Sequence, residues 1–352
     1  MSSPAAKQKL ESIEAARGVA ASLVVVYHAA RHLERNGFAL PWFGGVEKFG
    51  HAGVDFFFVL SGFIILFVHH GDLGRPGALL RYAERRCTRI YPLYWAILAV
   101  YTLIAIFGSQ QMSPDAATLA ANTVLYPLAT EPIVGVAWTL QHEMLFYVLF
   151  AAAIVDLRLG LALVAVWLAL IAGALSGVLE VPPLGLARVA ASAFNVQFVM
   201  GMLAALIAHR ARVPQARLIA VAGALSFAAI GVCESQGVID GYADPARFLY
   251  GAAAFAVVVG LVEAEREARV RVPRLMGVLG KASYSIYLGH LLVLGVAYKS
   301  LERLGLQDAL PVWLLHIALV VAGIGGGVVF SMTLEYPLMG VARKLWGKVF
   351  AR

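Results

Sequence analysis

The chain has 352 residues, of which 61% are hydrophobic and only 14% are charged, and its mean hydropathy is +0.78. Soluble globular domains of this length do not reach such values, so the composition excludes a soluble protein and predicts a multi-pass membrane protein. The net charge of +7 comes from basic residues clustered between apolar segments, as in cytoplasmic loops, and therefore does not indicate nucleic-acid binding.

Apolar runs of about 20 residues, separated by charged residues or by Pro and Gly, predict ten membrane-spanning helices. These runs lie near residues 17–33, 52–70, 91–108, 134–155, 159–177, 190–209, 218–234, 247–262, 282–300 and 311–335. With the N-terminus in the cytoplasm, 21 of the 28 Lys and Arg residues fall in cytoplasmic segments, which agrees with the positive-inside rule. The predicted fold class is therefore all-α, a bundle of about ten transmembrane helices with both termini cytoplasmic.

The predicted divisions of the chain follow from these spans. Residues 1–16 are expected to be a cytoplasmic lead-in, with Ser12 as the cap of the helix that continues into the first span. Residues 17–335 form the transmembrane domain, and residues 336–352 form a basic cytoplasmic tail.

The first span contains two polar residues, Arg17 and His28, in an otherwise apolar segment. Eleven residues of α-helix place both side chains on one face, roughly 16 Å apart. Ionisable side chains inside a membrane usually point into a protein interior or a wet cavity, where they have a function. Arg17 and His28 are therefore the first candidates for a catalytic site.

The second span opens with HAGVDFFFVLSGF, which places Asp55 near the outer membrane surface. Asp55 either orients a catalytic base or caps the start of the helix, and the sequence leaves both open. Ser61 and Gly62 lack the strand and turn of a serine nucleophile, so close helix packing is the better interpretation of this pair.

The segment RYAERRCTRIYPLYW precedes the third span and places Arg86 and Arg89 on one helical face at the cytoplasmic mouth. Such a pair satisfies the positive-inside rule and can contact anionic lipid head groups. Guanidinium groups also bind phosphate oxygens bidentately, so the pair is equally a candidate phosphate clamp for a cofactor from the cytosol.

The fourth span begins WTLQHEMLFY and is expected to place Glu143 in the outer half of the membrane. A buried carboxylate there suits proton transfer or pairing with a histidine, although a structural hydrogen bond to a neighbouring helix is the alternative. On this arrangement Asp55 and Glu143 would both orient His28 or stabilise it when protonated.

The last two spans carry further polar residues. The ninth span, SYSIYLGH, sets His290 about two turns beyond Tyr284, and His290 is either functional or a packing residue. Glu335 and Pro337 are interpreted as a helix stop with an interfacial carboxylate, and the glycines over 323–327 as close helix packing. No Cys and His spacing resembles a zinc site, so no metal is predicted.

Six segments together resemble the integral-membrane acyltransferase-3 family in order and spacing, over essentially the whole chain. They are Arg17 with His28, GVDFFFVLSGF (53–63), RRCTRIYPLYW (85–95), WTLQHEMLFY (138–147), SYSIYLGH (283–290) and EYP (335–337). The resemblance implies a bundle of about ten helices in the bacterial inner membrane that transfers acyl groups, usually acetyl, from cytosolic acyl-CoA to surface carbohydrates.

The resemblance also implies roles for individual residues. His28 would be the catalytic histidine and Arg17 its motif partner, while Arg86 and Arg89 would be the paired arginines and Glu143 the carboxylate of the fourth-span motif. We add Asp55 to the catalytic set, and Tyr284 and His290 to the donor-binding set. The expected donor is acyl-CoA, most simply acetyl-CoA, bound without a metal.

The expected partners are a carbohydrate acceptor and membrane lipid, with no nucleic acid. Many members of the family carry an extracytoplasmic domain after the last span, whereas this sequence ends shortly after it, so acceptor handling is expected from the bundle or from a separate protein. A homo-oligomer and a polysaccharide-export partner both remain open, as does the choice between His28 as general base and as acyl carrier. A secondary transporter or flippase is the alternative function, because ten spans and buried charges are equally typical of transporters.

Overall fold

A computed structural model describes residues 10–39, 43–108, 114–268 and 270–350, and within these ranges the chain is helical without strands. The α-helices, numbered in chain order, are α1 (Glu11–Arg35), α2 (Gly53–His69), α3 (Leu79–Phe107), α4 (Ala116–Thr123), α5 (Trp138–Val155), α6 (Leu157–Leu175), α7 (Leu186–Ala190), α8 (Phe194–Arg210), α9 (Ala216–Ser235), α10 (Asp244–Arg266), α11 (Arg274–Arg303), α12 (Leu306–Ala309), α13 (Val312–Phe330) and α14 (Tyr336–Phe350). Short 3-10 turns cover Lys48–Ala52, His70–Asp72, Pro76–Ala78 and Gly135–Ala137, and Ser331–Glu335 is π-helical.

Nine helical segments among the described residues are long and apolar enough to cross a membrane. Each overlaps one of the ten predicted spans, which confirms the all-α, multi-pass class. The tenth prediction, 282–300, lies in α11, which has 30 residues but is not one of the nine. Polar residues including Ser283, Tyr284 and His290 lower its hydropathy, and they are buried because α11 packs between α1 and α13.

Helices α1 and α11 pack in parallel and in register. Gly18 meets Gly280 so closely that a Cβ atom on Gly18 would lie 2.7 Å from the Gly280 nitrogen. Ten residues further along each helix, His28 meets His290. Small residues let the two backbones approach in this way, and the approach fixes the relative height of every side chain on the shared face.

A second close pair is formed by α2 and α8. A Cβ atom on Gly62 would lie 2.0 Å from the carbonyl oxygen of Phe198, and one on Gly201 would lie 2.0 Å from that of Val59. The predicted packing role of the Ser61 and Gly62 segment is confirmed at Gly62.

The beginning of α1 differs from the prediction. Ser12 is not the cap of the helix but lies in its first turn, after Leu10 in the cap position. The Glu265 carboxylate of α10 takes the capping role, because it accepts hydrogen bonds from the backbone N–H groups of Glu11 at 2.7 Å and Ser12 at 2.9 Å. Helix starts leave such N–H groups without intrahelical partners, and a carboxylate satisfies them well.

The predicted helix stop at Glu335 and Pro337 is wrong. The chain passes from α13 through the π-helical turn Ser331–Glu335 directly into α14, which packs on α3. Pro337 lies two residues after the π-helical turn, and helices commonly adjust around a proline at such a turn. Residues 336–350 of the predicted tail are therefore helical.

Candidate active site

The structure brings most of the predicted site residues around one cavity of about 110 Å³. The name basic face is used for the end of the bundle at which α1 and α3 begin. The name distal face is used for the opposite end, at which α1 ends. We call the cavity itself the basic cavity. Its lining includes Arg17 from α1, Arg86 and Arg89 from α3, Glu143 from α5 and Tyr284 from α11. Three guanidinium groups and one carboxylate leave it with an excess of positive charge.

Two of the three arginines are available to a ligand. Arg17 makes no hydrogen bond or ion pair with the described residues, and it interacts electrostatically with Arg89 and Glu143. The Arg86 guanidinium lies over the ring of Tyr147, 5.8 Å from its centroid, and its buried Nε has no hydrogen-bond partner within the described ranges. Buried polar groups are normally satisfied, so these donors are suited to an anionic ligand.

Arg89 is committed to the protein. It forms an ion pair with Glu335, whose side chain is fully buried and accepts a second hydrogen bond from the Ser285 hydroxyl at 2.5 Å. The Arg89 guanidinium also lies over the Tyr284 ring, 5.4 Å from its centroid. Glu335 is therefore an internal partner of Arg89 rather than the interfacial carboxylate that its position in the sequence indicated.

Glu143 lies in the basic cavity with Arg17 and not beside His28, so it does not take the predicted role of orienting His28. The reason is the turn before α5, which packs inside the bundle. Val134 in this turn is fully buried, and the Val136 carbonyl accepts a hydrogen bond from the Tyr287 hydroxyl at 3.3 Å. Helix α5 consequently starts within the bundle and carries Glu143 toward the basic face.

The Glu143 carboxylate is held by two hydroxyl donors. Tyr147 donates to its Oε1 at 2.5 Å and Ser61 donates to the same atom at 3.2 Å. Glu143 therefore balances part of the arginine charge and fixes one wall of the basic cavity.

His28 contacts His290, a residue that we predicted to bind the acyl donor. The Nε2 atom of His290 lies 3.1 Å from Nδ1 of His28, and the ring centroids are 4.8 Å apart. His28 Nδ1 also lies 3.0 Å from the carbonyl oxygen of Val24. His290 is fully buried, whereas His28 is only partly buried. His290 thus lies against the candidate base and does not line the basic cavity.

The hydrogen bonds of this pair select one tautomer of each ring. His290 Nδ1 faces the Tyr287 carbonyl oxygen at 2.6 Å, so in the neutral ring this nitrogen carries the proton and Nε2 accepts. His28 Nδ1 must then carry its proton, which faces the Val24 carbonyl and His290 Nε2. The free lone pair of His28 is therefore on Nε2, the nitrogen that would act as a base or a nucleophile.

Asp55 does not orient His28. Its Oδ2 accepts from Arg247 at 2.6 Å and its Oδ1 accepts from Gln197 at 2.6 Å, and all three side chains are buried. Asp55 is thus the internal counter-ion of Arg247, and neither of the two carboxylates predicted to act on His28 contacts it.

Sequence reasoning missed Arg247, which anchors this buried network. The predicted eighth span began at this residue, and Arg247 was not considered as a candidate. A charged residue at the edge of an apolar run was the signal that could have identified it, because such residues are expensive in a membrane unless they are paired.

The ring of Tyr287 lies between the basic cavity and the histidine pair. Tyr287 lines the cavity, and its hydroxyl hydrogen-bonds with Thr139 at 2.9 Å. Its ring packs edge-on against Phe57, with centroids 5.5 Å apart, and lies 6.1 Å from the His290 ring.

Among the described residues no group of three His, Cys, Asp or Glu side chains is placed to hold a metal ion.

Comparison with known proteins places the chain in a family. The acyltransferase-3 family model, described as an acyltransferase domain, matches residues 10–334. The exopolysaccharide production protein ExoZ of Rhizobium meliloti (strain 1021) is 31% identical over 327 residues, which cover 86% of this chain and 96% of the relative.

A second relative is the O-acetyl transferase of Shigella phage Sf6, 26% identical over 184 residues that cover 48% of this chain and 53% of the relative. No solved structure gives a significant match. The family model covers nearly the whole bundle and includes the basic cavity and the histidine pair. The chain belongs to the acyltransferase-3 family and is a membrane acyltransferase.

Proposed function

We propose that the chain transfers an acyl group, most simply acetyl, from cytoplasmic acyl-CoA to a hydroxyl of an extracytoplasmic or lipid-linked carbohydrate at the bacterial inner membrane. The observation that carries this proposal is the placement of two sites on one helix. The basic cavity lies at Arg17, and the histidine pair lies at His28, roughly 16 Å further along α1. The names of the two relatives, which concern exopolysaccharide production and O-acetyl transfer, support a carbohydrate acceptor.

The basic cavity suits the phosphate groups of acyl-CoA. Arg17 and Arg86 offer donors that no described residue occupies, and charge-assisted hydrogen bonds to phosphate are among the stronger ones in proteins. The long, thin arm of the donor would then pass Tyr287 to bring its thioester to His28. Arg89, Glu335 and Glu143 act in this proposal by fixing the walls of the cavity.

Two routes of transfer fit the histidine pair. In the first, His28 Nε2 takes the proton of the acceptor hydroxyl, the oxygen attacks the thioester carbon, the C–S bond breaks as the C–O bond forms, and the leaving sulfur regains the proton. In the second, Nε2 attacks the thioester carbon and the C–S bond breaks, which gives an acylated imidazole and the CoA thiolate. The acceptor hydroxyl then attacks the acyl carbon, the C–N bond breaks, and the thiolate takes the hydroxyl proton. Both routes need the Nε2 lone pair, and both leave Nδ1–H facing acceptors.

Protein purified in detergent tests this function directly. Incubation with isotope-labelled acetyl-CoA and a deacetylated surface glycan should place the label on the glycan as an ester, detected by mass spectrometry. Surface glycans from a deletion strain should lose the same ester. A protein that binds glycan or lipid-linked sugar but forms no ester and releases no CoA would contradict the proposal and favour transport.

A further inference from the structure

A second cavity, of about 310 Å³, lies beside His28 on the distal face. The end of α1 and the loop between α9 and α10 (residues 236–243) form most of its wall. Its aromatic and polar lining includes Tyr27, Arg31, Lys48, Glu234, Asp240 and Tyr242. Tyr27 directly precedes His28 in the chain, and its ring meets the His28 ring edge-on, with centroids 4.9 Å apart. A ligand in this distal cavity would lie next to the base.

Tyr242 offers the distal cavity a fixed and accessible aromatic face. One side of its ring stacks on His51, with centroids 4.5 Å apart, while 62% of the residue is exposed. Its hydroxyl hydrogen-bonds with the Tyr27 hydroxyl at 2.6 Å, and His51 is held in turn by Glu234 at 2.7 Å. Because the ring is already held in place, a ligand that stacks on it loses little binding free energy to ordering.

The loop that carries Tyr242 is fastened to the bundle. Arg247, the partner of Asp55, donates a second hydrogen bond to the carbonyl of Gly241. Gly241 packs so closely on Glu234 that a Cβ atom at this position would lie 2.0 Å from the carboxyl carbon. The buried network around Arg247 therefore sets the position of the cavity wall.

The charges of the distal cavity nearly cancel. Arg31 and Lys48 face Glu34, Glu234 and Asp240, and Arg31 is already paired with Glu34. The Lys48 ammonium has no hydrogen-bond or ion-pair partner among the described residues, so its three N–H donors are available. An aromatic face surrounded by donors and acceptors of both signs fits a neutral molecule with many hydroxyl groups better than an anion or a cation.

We propose that the distal cavity is the acceptor subsite and that it holds a neutral pyranose residue with the C–H face of the sugar ring on Tyr242. The faces of aromatic rings are negative and attract the weakly positive C–H groups, while the sugar hydroxyls meet Lys48 and Asp240, which line the same cavity. The inference rests on the proposed function, since it names the sugar class and the residues that bind it in the same reaction.

Steady-state transfer from acetyl-CoA tests the subsite with two probes, a neutral and an acidic oligosaccharide fraction of a deacetylated surface glycan. Tyr242→Ala should raise KM for the neutral fraction by up to about tenfold, the loss expected for one aromatic contact. The same variant should leave kcat and KM for acetyl-CoA unchanged. Tyr242→Trp should keep the wild-type acceptor KM because it retains an aromatic face.

Two further variants complete the design. Tyr126→Ala removes an exposed tyrosine elsewhere on the molecule and should change nothing, whereas Lys48→Ala removes an exposed side chain of the cavity and should raise the acceptor KM about fivefold. If Tyr242→Ala does not fold, the acceptor KM of Lys48→Ala tests the proposal instead.

The outcomes separate the two proposals. If the wild-type protein acetylates no carbohydrate, the proposed function fails. If it acetylates carbohydrate while Tyr242→Ala and Lys48→Ala leave the acceptor KM unchanged, or if the acidic fraction is strongly preferred, the function stands and this subsite is wrong.

Discussion

At the level of single residues, the decisive contact is between His28 and His290, because it gives His28 two acceptors on the same side of its ring. The Val24 carbonyl and His290 Nε2 both face Nδ1 of His28. These acceptors become more favourable when His28 takes up a proton, since hydrogen bonds from a charged donor are stronger. If His28 is the general base of the proposed reaction, the pair would stabilise its protonated form, a role usually assigned to a carboxylate.

His28→Ala should reduce transfer by at least about 100-fold, the lower range for loss of a general base, and should abolish it if the imidazole carries the acyl group. The substitution should leave folding and acetyl-CoA binding intact, because alanine is easier to bury in a membrane than histidine. Ester formation on the glycan measures the loss. His32→Ala, one turn further along α1, is the matched control and should remain active. Wild-type transfer by His28→Ala would exclude His28 from the reaction.

His290→Ala should lower kcat while leaving KM for acetyl-CoA unchanged, because His290 positions His28 and does not line the basic cavity. Outer partners that orient an imidazole are worth about 10- to 100-fold in metal sites, and we expect a loss of that order. His290→Gln should recover part of the activity, since its amide oxygen can accept from His28 Nδ1. The pH dependence of kcat should shift in His290→Ala, and an unshifted profile with full activity would contradict this role.

The two arginines of α3 should behave differently on substitution. Arg86→Ala should weaken acetyl-CoA binding by about 1.5–3 kcal/mol, the value of a charge-assisted hydrogen bond, with little effect on stability. Arg89→Ala should also destabilise the protein by about 3–5 kcal/mol, because it leaves Glu335 buried and unpaired.

Titration calorimetry and thermal unfolding in detergent separate the two effects. Combining Arg89→Ala with Glu335→Gln should restore stability but not donor affinity. Unchanged acetyl-CoA affinity in Arg86→Ala would assign this residue to lipid contact or membrane topology instead.

At the level of secondary-structure elements, the parallel packing of α1 and α11 sets the site. The glycine contact and the histidine contact are separated by ten residues on α1 and also by ten residues on α11. A shift of one helix along the other would break the histidine pair, so we expect the glycine contact to hold His28 and His290 at the same height.

Gly18→Ala should lower stability by about 1–3 kcal/mol, as overpacking commonly does, and should lower kcat together with it, because the added Cβ atom pushes α1 away from α11. Gly277→Ala is the matched control on α11, since a Cβ atom there meets nothing within 4 Å. Thermal unfolding and transfer assays on the same samples measure both effects. A destabilised Gly18→Ala protein with wild-type kcat would show that the glycine contact does not position His28.

At the level of the whole molecule, the two cavities lie toward opposite ends of α1, so donor and acceptor are expected to enter from opposite sides. Sealed inside-out vesicles test this arrangement. Externally added acetyl-CoA should acetylate a glycan trapped in the lumen, because the basic face is predicted to be cytoplasmic. The same vesicles loaded with His28→Ala protein provide the background. Activity only when donor and acceptor share one compartment would contradict the arrangement.

The number and type of the spans could be predicted from the sequence because each span is a local property of about 20 residues. It could also be predicted that Arg17, Arg86 and Arg89 lie at the same end of the bundle, since the positive-inside rule places them on one side of the membrane. Contacts between distant segments could not. His28 and His290 are 262 residues apart, and no local pattern indicates that α1 and α11 run side by side.

Two interpretations failed for a similar reason. Glu143 was expected beside His28 because the turn at Val136 was assumed to lie at the membrane surface, whereas tertiary packing draws that turn into the bundle. Glu335 was interpreted as a helix end because Pro337 follows it, although the chain continues through a π-helical turn into α14.

The position of Tyr287 between the basic cavity and the histidine pair has a consequence for the energy balance of the cell. A passage that joined the basic cavity to the distal cavity without interruption would let protons and ions leak down their gradients through every copy of the enzyme. Tyr287 is hydrogen-bonded to Thr139 and packed on Phe57, so we expect it to close that route between turnovers and the arm of a bound donor to fill it during turnover. We therefore expect vesicles that contain this acyltransferase to hold a pH gradient as well as empty vesicles do, and we expect Tyr287→Ala to make them leak.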